Sequence, residues 1–248
     1  MAKASKRSRL WILFLVIVAA AAAAYLWIHR RAPTEATPVA EAPTATPAPG
    51  GVPVVSADRI DPANDERTVR ISGEPKIGAP ARDLQLGIEA NALILLRYAD
   101  MLQWKEECTG DKCTYEQVWS PQLVSSKRFR EPAGHTNPTR MPVTTTRYAA
   151  SDVRIGAFKI DAGVFVDPRF GLALPIKPEA YAVKSSQLPS NLAISFREVN
   201  GTLYAGDPDH PAVGDVRVIY RIVPVKSVEV TGMQRGDRII VQKLKPNG

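Results

Sequence analysis

Side chains that could form a metal centre are scarce in this chain, which has two cysteines and three histidines among its 248 residues. His135 and His210 stand far apart in the sequence, and a structural zinc site needs four ligands. The chain also lacks the Gly-x-Ser-x-Gly elbow, the glycine-rich phosphate loop and the His-Glu-x-x-His motif. The sequence therefore predicts a protein that is not an enzyme and holds no cofactor or metal.

A dense basic surface is missing too, although the formal net charge is +7. Six Lys and Arg residues flank one apolar segment near the N-terminus, and the rest of the chain keeps only a small positive excess. Nucleic-acid-binding domains carry their basic residues clustered on one face. No nucleic acid partner is expected.

Long apolar runs are absent except over residues 10–28, where no charge interrupts the sequence. A helix of this length, rising about 1.5 Å per residue, crosses a hydrocarbon core of about 30 Å. Lys and Arg are more numerous before the run than after it, which places the N-terminus in the cytoplasm. We predict a basic cytoplasmic tail over 1–9, a transmembrane helix over 10–28 and the lipid bilayer as a partner. The alternative is a cleaved signal peptide, because the alanine run offers a cleavage site.

Residues 32–53 are rich in Pro, Ala and Thr and contain no aromatic side chain. Such a segment buries too little apolar surface to fold, and proline biases it towards extended conformations. We interpret it as a tether between the membrane helix and the rest of the chain.

Beyond residue 56, short alternating stretches recur, each closed by glycine, proline or a small polar residue. They predict a single, mainly β extracytoplasmic domain over residues 56–243, with an α+β fold as the alternative. Predicted strands cover residues 68–73, 115–119, 216–223, 228–232 and 238–243, and Arg235-Gly236-Asp237 predicts a hairpin turn before the last. The apolar stretch 92–104 fits a strand or a helix. One short helix is predicted over 178–187, after a proline.

The two cysteines, Cys108 and Cys113, enclose Gly110-Asp111, a pair typical of hairpin turns. Cysteines that face each other beside a tight turn meet disulfide geometry, and the predicted compartment is oxidising. A disulfide is the favoured interpretation. Zinc is the alternative, but this pair supplies only two ligands.

Several short motifs occur together in an order that is specific, although each is weak alone. They are Gln103, Trp104 and Glu106; Trp119; Gly134, His135, Asn137 and Pro138; Gly214 and Asp215; and Gln234, Arg235, Gly236 and Asp237. In this order the chain resembles the LUMA (transmembrane protein 43) family over residues 68–241.

The resemblance implies a non-enzymatic scaffold or organiser of membrane protein assemblies. Members of the LUMA family have an N-terminal membrane span, a large lumenal or periplasmic domain and C-terminal membrane spans. From the charge bias and the single apolar run we expect one pass through the inner membrane with a periplasmic domain. For a eukaryotic chain, the resemblance implies the inner nuclear membrane or the endoplasmic reticulum. The implied partners are membrane or envelope proteins, including further copies of the chain. The C-terminal spans of the family are not in this sequence, so we expect either a bitopic member or a truncated chain.

Two other functions stay open. An envelope ligand-binding module would expose Trp104 or Trp119 as a stacking platform for a sugar or peptide, although strand spacing favours both as cross-strand core partners. An envelope hydrolase would use His135 as acid or base. The favoured interpretation is that His135 and Asn137 hydrogen-bond to the backbone and fix a loop.

An acidic cluster of Asp207, Asp209 and Asp215 with His210 offers oxygen ligands for Ca²⁺. The proline and glycine residues among them favour an exposed turn before the strand at 216–223.

Overall fold

The computed structural model describes residues 51–165 and 176–241. The predicted cytoplasmic tail, the predicted transmembrane helix and nearly all of the predicted tether lie outside these ranges, as do the last residues of the predicted domain. Within the two ranges, no helix is long and apolar enough to cross a membrane.

The described residues are mainly β, as the sequence predicts. The strands are β1 (Thr68–Gly73), β2 (Ala81–Asp83), β3 (Ile88–Ala90), β4 (Ile94–Thr109), β5 (Lys112–Ser120), β6 (Thr146–Ala149), β7 (Val153–Ile155), β8 (Phe158–Ile160), β9 (Glu179–Tyr181), β10 (Arg197–Val199), β11 (Thr202–Ala205), β12 (Val216–Val223), β13 (Val228–Arg235) and β14 (Arg238–Ile240). Short 3-10 helices occur at Pro62–Asn64, Ser126–Arg128, Ala162–Phe165 and Ser185–Gln187.

The strands of the described ranges form three sheets. A five-stranded sheet has the order β1-β13-β14-β8-β7. A seven-stranded sheet has the order β10-β11-β12-β4-β5, with β6 also beside β4 and β9 also beside β12. The β2–β3 hairpin stands alone as the third sheet. Strand β14 runs parallel to β8, and the other pairs are antiparallel.

Strand β4 links two hydrophobic cores, which resolves the ambiguous period of 92–104 in favour of a strand. Side chains of a strand alternate between its two faces. Ile94 packs in the core under the five-stranded sheet, with Ile71, Phe158 and Val230. Leu95 points the other way, into a second core that the β2–β3 hairpin covers.

The predicted helix over 178–187 is wrong. Glu179–Tyr181 is instead strand β9, which pairs with Tyr220–Ile222 of β12, and only Ser185–Gln187 forms a 3-10 helix. The edge of β12 has unpaired backbone groups beyond β11, and pairing with them outweighs the weak helix propensity of this segment. Tyr181 also donates a hydrogen bond to the Glu89 carbonyl, which fixes the strand.

The last residue of the predicted tether belongs to the described fold. The amide of Arg70 in β1 donates to the Pro53 carbonyl, and the amide of Val55 donates to the Arg70 carbonyl. Pro53 and Val55 therefore extend the edge of the five-stranded sheet.

A buried ion pair joins the β2–β3 hairpin to the larger sheet. Arg97 of β4 and Asp83 of β2 are 2% and 0% exposed and lie 2.6 Å apart. Asp83 also accepts the Tyr220 hydroxyl at 2.6 Å and the amides of Gln85 and Leu86. These bonds matter because a buried charge is costly unless it is fully paired.

The remaining donors of Arg97 are also used. Its Nε donates to the Thr144 carbonyl and one Nη to the Gln85 side chain. Burial, followed by a hydrogen bond to Asp83, raises the pKa of Tyr148 to about 12. The same two causes raise the pKa of Tyr220. The Tyr220 hydroxyl therefore stays a neutral donor to Asp83.

Replacing Arg97 by leucine should destabilise the domain by about 3–5 kcal/mol, because Asp83 would keep a buried charge without its cation. Equilibrium urea unfolding measures the loss. The control is Arg82→Leu in the same hairpin, where the ion pair with Glu89 is exposed and contributes about 0–1 kcal/mol. Equal losses in the two variants would contradict a structural role for the buried pair.

Candidate functional site

The β4–β5 hairpin extends past the rest of the larger sheet, because β12 pairs with β4 only over Ile94–Met101. Its turn lies at Gly110-Asp111, and Gly110 has the positive φ (59°) that glycine tolerates. Cys108 and Cys113 face each other across the hairpin and form a disulfide with an S–S distance of 2.06 Å. The predicted hairpin and disulfide are thus confirmed.

The carboxylate of Glu106 lies close to this disulfide, and the three potential ligand atoms are within 4.8 Å of one another. Both sulfurs are joined in the disulfide, so they are not thiolates. The group therefore does not form the zinc site weighed from the sequence.

Three of the motifs meet at one edge of β4, just where β12 ends. The Asn137 side chain accepts the Trp104 amide at 2.7 Å and donates to the Trp104 carbonyl at 2.8 Å. The Gly214 amide donates to the Leu102 carbonyl, and the Leu102 amide donates to the Asp215 carbonyl. The Asn137 side chain and the Gly214–Asp215 loop together replace β12 along this part of the edge, so the backbone groups of Leu102 and Trp104 stay paired.

Gln103 secures the opposite face of the hairpin. Its side chain is fully buried, donates to the Gln122 carbonyl and accepts the Val124 amide. Asn137 contacts the same segment, because it donates to the Val124 carbonyl. The loop after β5 is therefore attached to β4 from both sides.

His135 lies between two aromatic rings on the hairpin. Its ring stacks on Tyr115 at 3.8 Å and meets Trp104 edge-on at 4.8 Å. Nδ1 lies 2.9 Å from the Glu131 carbonyl, which can only accept, so Nδ1 carries the proton. The prediction that His135 and Asn137 fix a loop is confirmed. No carboxylate or hydroxyl of the described residues hydrogen-bonds to the imidazole, so the pair that a hydrolase built on His135 requires is not formed there.

Glu106 holds the other side of this loop. It accepts the Tyr115 hydroxyl at 2.7 Å and the Arg130 amide at 2.6 Å. These two hydrogen bonds lower the pKa of the Glu106 carboxyl. Glu106 is thus a charged anchor of the loop.

The two tryptophans are partly exposed, so their prediction as core partners is wrong. Trp119 lies opposite Leu102, not Trp104, and it contacts the Arg217 guanidinium at 4.7 Å and the Tyr204 ring at 6.5 Å. Trp104 packs against the His135 ring, and Trp119 lies beside β12 and β11 of the larger sheet. Neither ring is fully buried, so the ligand-binding hypothesis stays a prediction.

The acidic cluster forms an exposed turn before β12, as the sequence favours. Asp207 pairs with Arg197 and His210. The Asp209 amide, followed by His210, lowers the pKa of Asp207. Asp215 instead accepts the Ala212 amide. Its carboxylate fills the space where a Cβ of Gly206 would lie, 2.1 Å away.

The last motif lies in the other sheet. Gln234 is fully buried and donates to the Asp61 carbonyl, and Gly236 donates to Asp65. Arg235 pairs with Glu66 and Asp237 with Lys159. Residues 235 to 237 form the predicted hairpin turn between β13 and β14. This motif therefore stabilises the five-stranded sheet and does not contact the β4–β5 hairpin.

Between the five-stranded sheet and the His135 loop, one face of the larger sheet is not covered by any other of the described residues. The strand registers place these side chains on it: Tyr98, Asp100, Trp119, Arg147, Arg217, Ile219 and Arg221. We call this set the open face. Tyr98 and Ile219 are paired across the strands and are 39% and 41% exposed.

Charge on the open face is mostly positive. Arg217 forms an ion pair with Asp100, the one acidic member of this set, and its Nε donates a hydrogen bond to the carboxylate at 2.9 Å. Arg147 and Arg221 are exposed on either side of Leu96, which pairs with both. Sequence reasoning missed this face, although Tyr98 and Ile219 share the alternating pattern of their strands.

Comparison with known proteins gives one consistent result. The family described as "Transmembrane protein 43" matches residues 101–246. Transmembrane protein 43 of Rattus norvegicus is 31% identical over 219 residues, covering 77% of this chain and 52% of the relative. The Homo sapiens protein is 28% identical, covering 75% of this chain and 51% of the relative. A Drosophila melanogaster homolog is 27% identical, covering 70% of this chain and 48% of the relative.

The chain thus spans about half the length of the curated relatives it matches. No solved structure matches it. The matched region includes the whole β4 edge where the motifs meet.

Replacing Asn137 by alanine should destabilise the hairpin by about 2 kcal/mol or more, because the Trp104 amide and two carbonyls lose their partner. Native-state hydrogen exchange of the Trp104 amide reports the change directly. The control is Thr136→Ala, which removes one exposed hydrogen bond to the Pro132 carbonyl. Unchanged protection of Trp104 in the Asn137 variant would show that Asn137 does not support the strand edge.

Proposed function

The chain belongs to the transmembrane protein 43 family of membrane proteins, and from that premise we propose that it is a non-enzymatic organiser of membrane protein assemblies. Its β-rich part would lie outside the cytoplasm, held at the membrane by an anchor over residues 10–28. The open face would bind the partner protein. The names of the relatives say only that they are transmembrane proteins, so the proposed role rests on the chemistry of this face.

The single observation that carries the proposal is the composition of the open face. Interface hot spots are enriched in Trp, Tyr and Arg, and this face combines such residues with an exposed isoleucine. Exposed apolar side chains that lie together, rather than singly, mark interaction sites. The face is therefore suited to a protein partner that brings carboxylates to Arg147 and Arg221.

The placement outside the cytoplasm rests on two independent features. The charge bias around residues 10–28 directs the N-terminus inwards. The Cys108–Cys113 disulfide suits an oxidising compartment, since disulfides are rare in the cytosol.

Thiol labelling of the full chain in sealed spheroplasts tests this placement. A membrane-impermeant maleimide should label Cys108 and Cys113 only after treatment with an impermeant reductant, without lysis. A cysteine added to the tail by Ser5→Cys should react only after lysis. Free cysteines that require lysis for labelling would place the domain in the cytoplasm and overturn the proposed topology.

Photocrosslinking in native membranes tests the partner surface. A benzoylphenylalanine at position 219 should give discrete products that contain a membrane protein or a second copy of the chain. Position 84 is the control, because Leu84 is 86% exposed and lies away from the open face. Arg221→Glu should reduce the products at 219 several-fold. The same products at both positions, or none at 219, would contradict the proposal.

A further inference from the structure

The outer edge of the β4–β5 hairpin has no strand beside it among the described residues. Strand β5 is nine residues long and pairs with β4 alone. The strand at the other end of the larger sheet, β10, has only three residues, and the outer edge of β1 already pairs with Pro53 and Val55. A long strand edge with unpaired backbone groups is a template for pairing with another chain. Of the described edges, that of β5 is the most open to such pairing.

The backbone of β5 directs unpaired groups along this edge. Trp104 points its amide and carbonyl away from β5, because both bond to the Asn137 side chain. Gln117 lies opposite Trp104, so its own amide and carbonyl point away from β4. By the alternation along a strand, those of Cys113 and Tyr115 point the same way. None of these three amides in β5 bonds to another described backbone group outside the hairpin.

The side chains of β5 suit pairing with an identical strand. No proline or glycine interrupts the sequence from Lys112 to Ser120. Lys112 and Glu116 lie on the same face of the strand, with Thr114 between them, and all three are exposed. Because the two charges are of opposite sign, an antiparallel second copy of β5 brings a carboxylate to each ammonium group.

Two symmetric registers are open to such a pair of strands. A twofold axis through Glu116 places the two Glu116 carboxylates directly opposite each other, which is destabilising. An axis through Tyr115 places Tyr115 opposite its own copy and Cys113 opposite Gln117, so residues with outward backbone groups face each other. The same axis puts Lys112 diagonally beside Glu116 of the second copy, within reach of a long side chain. The register centred on Tyr115 thus satisfies both the backbone and the charges.

We propose that two copies of the chain associate by antiparallel pairing of β5 about a twofold axis at Tyr115, with ion pairs between Lys112 and Glu116 of the second copy. The interface is isologous, since both copies use the same patch. The paired stretch ends before Trp119, so the open face stays available in both copies. The pairing therefore goes beyond the proposed function and does not rest on it.

The test uses the full chain reconstituted in phosphatidylcholine liposomes, because one strand edge is smaller than a standard interface and benefits from confinement. A cysteine introduced by Thr114→Cys is treated with the short crosslinker bismaleimidoethane. The native cysteines do not react with it, since they form a disulfide. Position 114 lies diagonally across from its own copy, so a covalent dimer should form.

Glu107→Cys is the matched control. Glu107 is exposed on the same face of the hairpin and lies opposite Thr114, one strand further from the axis. The two β4 strands of the dimer would be about 14 Å apart, beyond the reach of the short crosslinker, so the product should be at least about fivefold weaker than at 114.

Charge reversal tests the register. Lys112→Glu and Glu116→Lys should each reduce the dimer product at 114 about fivefold or more, because each places like charges side by side. The double variant has opposite charges at every contact again and should return the product to within about twofold of its original level. Gln117→Pro removes an amide that points outwards, so the hairpin should persist while the product is lost.

Each result decides the proposal. A product at 114 that the single charge variants weaken and the double variant restores supports it. Equal products at 114 and 107, no product at 114, or a product that Lys112→Glu leaves unchanged would overturn it. Failure of the double variant to restore the product would do the same. Arg221→Glu on the open face should leave the product unchanged, and its loss in that variant would assign the contact to the open face instead.

Discussion

The backbone of β4 imposes the constraint on which the rest of the structure depends. This strand is longer than any neighbour, and each residue along it must pair an amide and a carbonyl. Strand β12 satisfies one edge as far as Met101. Beyond that point the Gly214–Asp215 turn and the Asn137 side chain take over. Motifs that are distant in sequence meet there because one strand edge needs all of them.

That arrangement also determines which surface stays free. Asn137 draws the loop that carries His135 across the hairpin, where His135 stacks between Trp104 and Tyr115. The five-stranded sheet contacts the other end of β4 through Ile94. The open face lies between the His135 loop and the five-stranded sheet, and no other described residue packs on it. An uncovered sheet face is thus a consequence of how the long strand is stabilised.

Much of the fold could be predicted because alternation reports burial directly. Strands β1, β12 and β13 follow that pattern, and the cysteines mark their hairpin through the Gly110-Asp111 turn. Strand β9 was missed because its pairing partner is about 40 residues away, and a local pattern does not contain it.

The site itself was less predictable. Its motif residues were identified, but their roles depend on contacts that no spacing encodes, such as Asn137 on Trp104. The buried Asp83–Arg97 pair was missed, since charged residues are almost never fully buried unless paired. The tryptophans were assigned to the core because strand spacing does not show which face of a sheet is covered.

The size of the open face bears on how a scaffold of this kind would bind. With three strands about 4.8 Å apart and same-face residues about 6.8 Å apart, the open face measures on the order of 15 Å by 20 Å. That is less than half of the area of about 800 Å² that each partner buries in a standard interface. Such a surface binds weakly between freely diffusing proteins. A membrane anchor changes the outcome, because confinement to the bilayer raises the effective concentration of a neighbouring membrane protein. Weak contacts then suffice, and the proposed anchor becomes as necessary to assembly as the face itself.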